Sequence, residues 1–134
     1  MTINTAELEE TQELHLQFEK RGGLLPVAVQ ETSTGQVLML ATVNKEAFKI
    51  SLKTRKATFY STSRKEIWTK GLTSGNTLKI DIILIDCDQD ALVYQVTLEK
   101  GGVCHSFNQK GENRKACFYR KINWQENRLD FLEK

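Results

Sequence analysis

The chain has no long apolar run, no excess of one charge and no closely spaced pair of cysteines, and each absence removes a class of function. No stretch approaches the roughly 20 apolar residues that a membrane-spanning helix needs. The start, MTINTAELEE, is acidic where a secretion signal would be basic and then apolar. A soluble, cytoplasmic protein with no membrane partner is expected. Lys and Arg total 19 against 17 Asp and Glu, a formal net charge of +2. That balance lacks the basic field of a nucleic-acid binder, so any charge recognition is local. Three cysteines without a CxxC pair fit neither a disulfide framework nor a zinc ribbon. In a reducing compartment they are free thiols or metal ligands. There is no internal repeat and no low-complexity segment, and 134 residues make one domain, residues 1–134.

Periodicity and turn chemistry organise what is present. Asn4, with Glu7 three residues on, is placed to cap a helix that runs through ELEETQELHLQFEK and stops at Gly22-Gly23, although its apolar face (Leu8, Leu14, Phe18) is thin. LLPVAVQ and QVLMLA read as two strands joined at Ser33-Thr34-Gly35. Asn44 caps a short helix over KEAFKISLKTRK, and ATFYS with IWTK forms another strand pair. TLKIDIILID and ALVYQVTLEK carry the strongest strand signals. Gly101-Gly102 turns the chain into VCHSF, and a polar run leads to a strand opened by Cys117. The tail from Asn123 onward reads as helical or loosely attached. The expected class is α+β, a strand-dominated mixed or antiparallel sheet with short helices.

Between the two strongest strands lies IDCDQDAL. On a strand, Asp86, Asp88 and Asp90 would share one face while Cys87 and Gln89 take the other. Three carboxylates on one face repel unless a cation neutralises them, and hard oxygen ligands favour Mg²⁺ or Ca²⁺. The plainer reading is a solvated turn, where Asp is common for local hydrogen-bonding reasons. Cys87, Cys104 and Cys117 occupy positions from which three thiolates can converge on zinc, leaving the fourth position for water. Free cysteines also pack as small hydrophobes. Three thiolates weaken zinc as a Lewis acid, so a nearby base would help deprotonate that water, a role that suits His105. Further back, STSRKEIWTKGLTSGN gathers Arg64, Lys70, Thr73, Ser74 and Gly75. Hydroxyls, cations and loop amides of this kind make an anion-binding concavity or, alternatively, ordinary hairpin loops. Trp68 has the strand-like setting of a core residue.

Taken together, GLLPVAVQ, TGQVLMLA followed by Asn44, FYSTSR, IWTKGLTSGN, DCDQDAL and the pair CH and CF resemble the phosphoribosyl-AMP cyclohydrolases of histidine biosynthesis, over about Leu24 to Tyr119. The resemblance implies Mg²⁺ on Asp86, Asp88 and Asp90, and Zn²⁺ on Cys87, Cys104 and Cys117. It also implies an intertwined homodimer whose two subunits share the metal sites, and a nucleotide substrate. The implied reaction is hydrolytic opening of the N1–C6 bond of the adenine ring in phosphoribosyl-AMP. Ribosyl phosphate on N1 makes C6 electrophilic toward an activated water, as in zinc deaminases. His105 would accept the water's proton, and the phosphates would sit on Arg64, Lys70, Thr73, Ser74 and Gly75. Four departures stand out: Thr42 in place of an aromatic, Thr62 in place of arginine, Leu72 in place of glutamate, and a longer spacer between Cys104 and Cys117. They leave two alternatives, a divergent paralogue acting on another purine-like ring and a zinc-stabilised binding module without catalysis.

Overall fold

The computed structural model describes residues 4–134. Its centre is a four-stranded mixed sheet in the order β2-β1-β6-β5, made of β1 (Leu25–Glu31), β2 (Val37–Val43), β5 (Leu78–Ile85) and β6 (Leu92–Leu98). The hairpin β1–β2 and the pair β5–β6 are antiparallel, and β1 runs parallel to β6, with Val27 opposite Leu92 and Glu31 opposite Val96. Alternation explains the register: Leu25, Val27 and Val29 of β1 and Leu92, Tyr94 and Val96 of β6 are all buried. Two smaller hairpins flank the sheet, β3 (Thr58–Ser61) with β4 (Glu66–Thr69) and β7 (Arg120–Asn123) with β8 (Arg128–Phe131).

The capped helix after β2 forms as the sequence indicates. Helix α2 (Lys45–Thr54) has the Asn44 Oδ1 accepting from Ala47 N at 2.8 Å, and it lays Ala47, Phe48 and Ser51 against the core. Trp68 joins that core beside Phe59, ring centroids 5.1 Å apart, as its strand-like setting suggests.

Three sequence expectations give way. The N-terminal helix is only α1 (Thr5–Glu9), although its capping box forms, with Asn4 Oδ1 accepting from Glu7 N at 2.9 Å. A single 3₁₀ turn follows at Glu19–Arg21. The apolar face was too thin to hold a longer helix by packing, and the intervening backbone bonds to Gln89 instead. Cys117 does not open a strand: its N–H donates to Leu38 O at 2.7 Å, and β7 begins three residues later. The tail is neither helical nor loose, because β8 pairs with β7 and Leu132 N donates to Tyr119 O at 2.7 Å.

Candidate metal and substrate site

The acidic segment is a turn and not a continuation of the strand, so the two-faced reading of Asp86 to Asp90 is corrected. Strand β5 ends at Ile85, Asp86 N donates to Ala91 O at 3.1 Å, and Gln89 adopts φ 57°, in the left-handed region. Asp86 Oδ1 accepts from the amides of Asp90 and Ala91 at 2.9 and 3.1 Å, the local hydrogen bonding that makes Asp a turn residue. Folding back brings the carboxylates together by another route. Asp86, Asp88 and Asp90 each offer an oxygen, all within 4.8 Å of one another, and among the described residues they are the one such group of three ligand atoms.

The N-terminal segment supplies this cluster's counter-charge. Lys20 Nζ lies 2.9 Å from Asp88 Oδ2 and 2.8 Å from Asp90 Oδ2, and an Arg21 guanidinium nitrogen lies 3.1 Å from Asp90 Oδ2. Asp90 is buried. The Lys20 hydrogen bond holds its carboxyl well below the ordinary carboxylate range, at about 2. Burial, reinforced by its acidic neighbours, pushes Asp86 upward. Gln89 locks the arrangement: its side chain accepts from His15 N at 2.6 Å and donates to Leu8 O and Glu13 O, while its carbonyl accepts from Gln17 N at 2.8 Å. Sequence reasoning missed Lys20, Arg21 and Gln89. They lie some 70 positions from their partners or carry no charge, and no local spacing signals them.

The Asp90 shift fixes a sign. A depressed carboxyl contributes stability that is present above its unfolded value of about 3.9 and is lost as pH falls toward about 2. Lys20→Gln is expected to lower the melting temperature near pH 6 and to leave it close to the parent's near pH 2. Asp86, shifted the other way, affects both proteins, so the informative quantity is the difference between their melting temperatures. A constant difference across that range would show that Lys20 and Asp90 are not paired.

A second group forms around the thiols. Val103 N donates to Lys115 O and Cys104 N to Arg114 O, both at 3.0 Å, and these bonds carry Cys104 back beside Cys117. Between them Phe107 bridges to Asn113, and Asn108 N donates to Glu112 O, so the long spacer is an irregular hairpin. Cys104 is buried, while Cys117 and Cys87 are exposed. Burial opposes the Cys104 thiolate, but hydrogen bonds from the Ser106 hydroxyl and amide and from Cys117, with the Arg114 charge, outweigh it and bring that thiol below its usual value. Cys117 goes up, through burial and then the neighbouring Cys104. Lys70, half-buried beside both sulfurs, is lowered by burial against their opposing attraction.

The loop after β4 joins this group. Gly71 at φ 81° is obligatory, because a Cβ there would lie 2.1 Å from the Asn76 carbonyl carbon, and Gly75 N closes the loop onto Gly71 O at 2.7 Å. Asn76 Nδ2 donates to Asn113 Oδ1 at 3.2 Å, and Asn113 Nδ2 donates to Cys104 O at 3.0 Å. Thr73, Ser74 and Gly75 are exposed on the loop, and His105 is exposed next to Cys104. Arg64 sits apart on the β3–β4 turn, paired with Glu66 at 3.4 Å, near the exposed Thr62. Leu72 is exposed, and Thr42 donates to Tyr60 O at 2.8 Å. The single chain does not gather all three cysteines: Cys87 stays on the acidic turn, in a concavity of about 320 Å³ shared with Leu8, Gln12 and Leu14.

Fold and site together define a small α+β domain with a carboxylate cluster able to hold a cation and, apart from it, a pair of thiols beside a glycine-hinged loop. The sequence profile of phosphoribosyl-AMP cyclohydrolase matches residues 39–119. A protein of that name from Desulfatibacillum aliphaticivorans is 45% identical over 109 residues, which cover 81% of this chain and 82% of that one. Another from Archaeoglobus fulgidus is 46% identical over 113 residues, 84% of this chain and 97% of that one. The histidine biosynthesis bifunctional protein HisIE of Thermus thermophilus is 44% identical over 117 residues, 87% of this chain and 51% of that longer protein. The chain belongs to the phosphoribosyl-AMP cyclohydrolase family.

Proposed function

We propose that this protein is a single-domain hydrolase that opens the N1–C6 bond of the adenine ring of phosphoribosyl-AMP in histidine biosynthesis, using zinc and magnesium. Family membership supports the reaction. The observation that carries its placement in the chain is the convergence of Cys104, Cys117, Lys70 and the Gly71–Asn76 loop on one region. The donor chemistry suits both metals. Three clustered carboxylates fit a hard cation such as Mg²⁺, and adjacent thiols that share hydrogen bonds fit zinc.

Cys104 and Cys117, with Cys87 from a second copy, would hold the zinc, which would supply Lewis acidity toward the attacking water. A second copy is a physical expectation as well as a family one, since the edge strand β5 exposes Ile82, Leu84 and Ile85 beside the acidic turn. His105 takes the proton from the water whose oxygen bonds to C6 and delivers it to N1 as the C6–N1 bond breaks, so hydroxyl and proton end on the two sides of the opened ring. Thr73, Ser74 and Gly75 offer hydroxyls and backbone to a phosphate, and Lys70 places a positive charge at the thiol end of the loop, while Arg64, apart on the β3–β4 turn, is left for a second phosphate.

An ultraviolet assay of ring opening with phosphoribosyl-AMP tests the reading. Turnover by the parent, lost with a zinc chelator and restored by added zinc, is the expected result. Asp88→Asn is expected to raise the magnesium needed for half-maximal rate while zinc content stays near that of the parent. No turnover by the metal-loaded parent would remove phosphoribosyl-AMP as the substrate and favour a divergent relative, for which Thr62 and the exposed Leu72 are the motivating positions.

A further inference from the structure

The thiol pair is tied to a part of the chain that lies beyond the family match at residues 39–119. Ser106 Oγ is 3.0 Å from Cys104 Sγ, and the Ser106 amide donates to the same sulfur at 3.5 Å. Arg114 Nη1 donates to that Ser106 Oγ at 3.2 Å. Arg114 has no acceptor to offer, so the serine oxygen is the acceptor in this bond, and its single hydrogen stays free to donate to the sulfur, the one direction open once Cys104 is a thiolate. With Cys104 as a thiolate, as a metal ligand must be, the bonds run in one direction, from guanidinium to hydroxyl to Cys104 Sγ.

Arg114 is itself held by the residues that follow β8. Its Nε donates to Glu133 O at 3.0 Å and its Nη2 to Lys134 O at 3.3 Å. The guanidinium stacks 4.2 Å from the Tyr119 ring centroid and 5.5 Å from that of Phe131. The Glu133 carboxylate accepts from Lys115 N at 3.0 Å and from Asn108 Nδ2 at 3.1 Å, gripping both limbs of the spacer that joins the two cysteines.

We infer that Ser106 and Arg114 are positioning residues of the zinc centre, through which the C-terminal segment Phe131 to Lys134 orients Cys104 and sets its strength as a ligand. The inference rests on the assignment of Cys104 to zinc. Outer hydrogen bonds to metal ligands typically change metal affinity about 10- to 100-fold.

The test uses the full-length protein and two readouts besides turnover: zinc affinity by competition with a chromophoric chelator, and the thiolate-to-metal absorption band of the cobalt-substituted form. Ser106→Ala is expected to weaken zinc binding about tenfold and to shift the cobalt band, whereas Ser106→Thr, which keeps the hydroxyl, restores both. Arg114→Lys is expected to move both readouts in the same direction as Ser106→Ala, because it keeps the charge but loses the planar fork. Parent-like affinity and spectrum in Ser106→Ala overturn the inference, as does failure of Ser106→Thr to restore them. A parent that binds no zinc overturns the ligand assignment and the inference together, and this differs from the other outcomes because no variant then departs from the parent.

Discussion

Cys104→Ser is expected to lose zinc and to lose ring opening by more than the roughly 100-fold that an outer hydrogen bond can account for. Cys104 is the buried member of the thiol pair, and its sulfur is the convergence point of the Ser106 hydroxyl and amide. A serine oxygen there is harder, shorter in reach and far more basic, so it does not replace a thiolate on zinc at neutral pH. The backbone of the site should survive, because Cys104 N and O are held by Arg114 O and Asn113 Nδ2. Metal analysis alongside a melting curve separates the two effects. Zinc should fall from stoichiometric to trace, and a variant that kept full occupancy would take Cys104 out of the site.

The second large effect comes from a residue with no side chain. A Cβ on Gly102 would lie 2.2 Å from Arg114 O, 2.5 Å from Arg114 C and 2.6 Å from Asn113 O, all of them backbone atoms. Neither strand of this irregular hairpin can swing aside as a side chain would. Gly102→Ala must then separate residues 102–104 from 113–115 and lose the Val103–Lys115 and Cys104–Arg114 bonds. Overpacking together with two stretched buried hydrogen bonds is expected to cost about 3 kcal/mol or more, roughly 10 °C in melting temperature for a domain of this size. Gly111→Ala is the control. Its site is open, with no atom within 4 Å, and only the backbone angle of 79° is unfavourable, so about 1 kcal/mol is expected. Equal losses in the two variants would show that the close approach at Gly102 carries no special cost.

The central sheet and α2 were legible because local pattern and tertiary outcome agree there. Leu25, Val27 and Val29 recur at every second position and are buried, and Asn44 caps at the expected place. Where several long-range contacts decide, the sequence was silent or misleading. IDCDQDAL invited an extended reading because strand propensity precedes it, yet the chain must reverse to pair Ile85 with Leu92, and Gln89 takes the left-handed angle that makes this possible. The three aspartates still converge, since residue types suitable for a cation can be read before the geometry that assembles them. The tail was misjudged for a similar reason. RLDF is a short, exposed strand whose order depends on pairing with β7 and on Arg114, Tyr119 and Glu133 rather than on any periodicity of its own.

The Gln89 contacts have a kinetic corollary. Residues 10–18 contain no helix or strand, and their backbone is held against the acidic turn mainly through one amide side chain and one carbonyl. Segments with so few internal bonds open as a unit, at a free energy well below that of global unfolding. Opening here strips Gln89 of those bonds and loosens the turn that carries the three aspartates. Hydrogen exchange at the His15 and Gln17 amides would therefore run on the clock of the acidic turn, slowing whenever a ligand on the aspartates holds that turn closed and quickening when Gln89 is shortened to alanine.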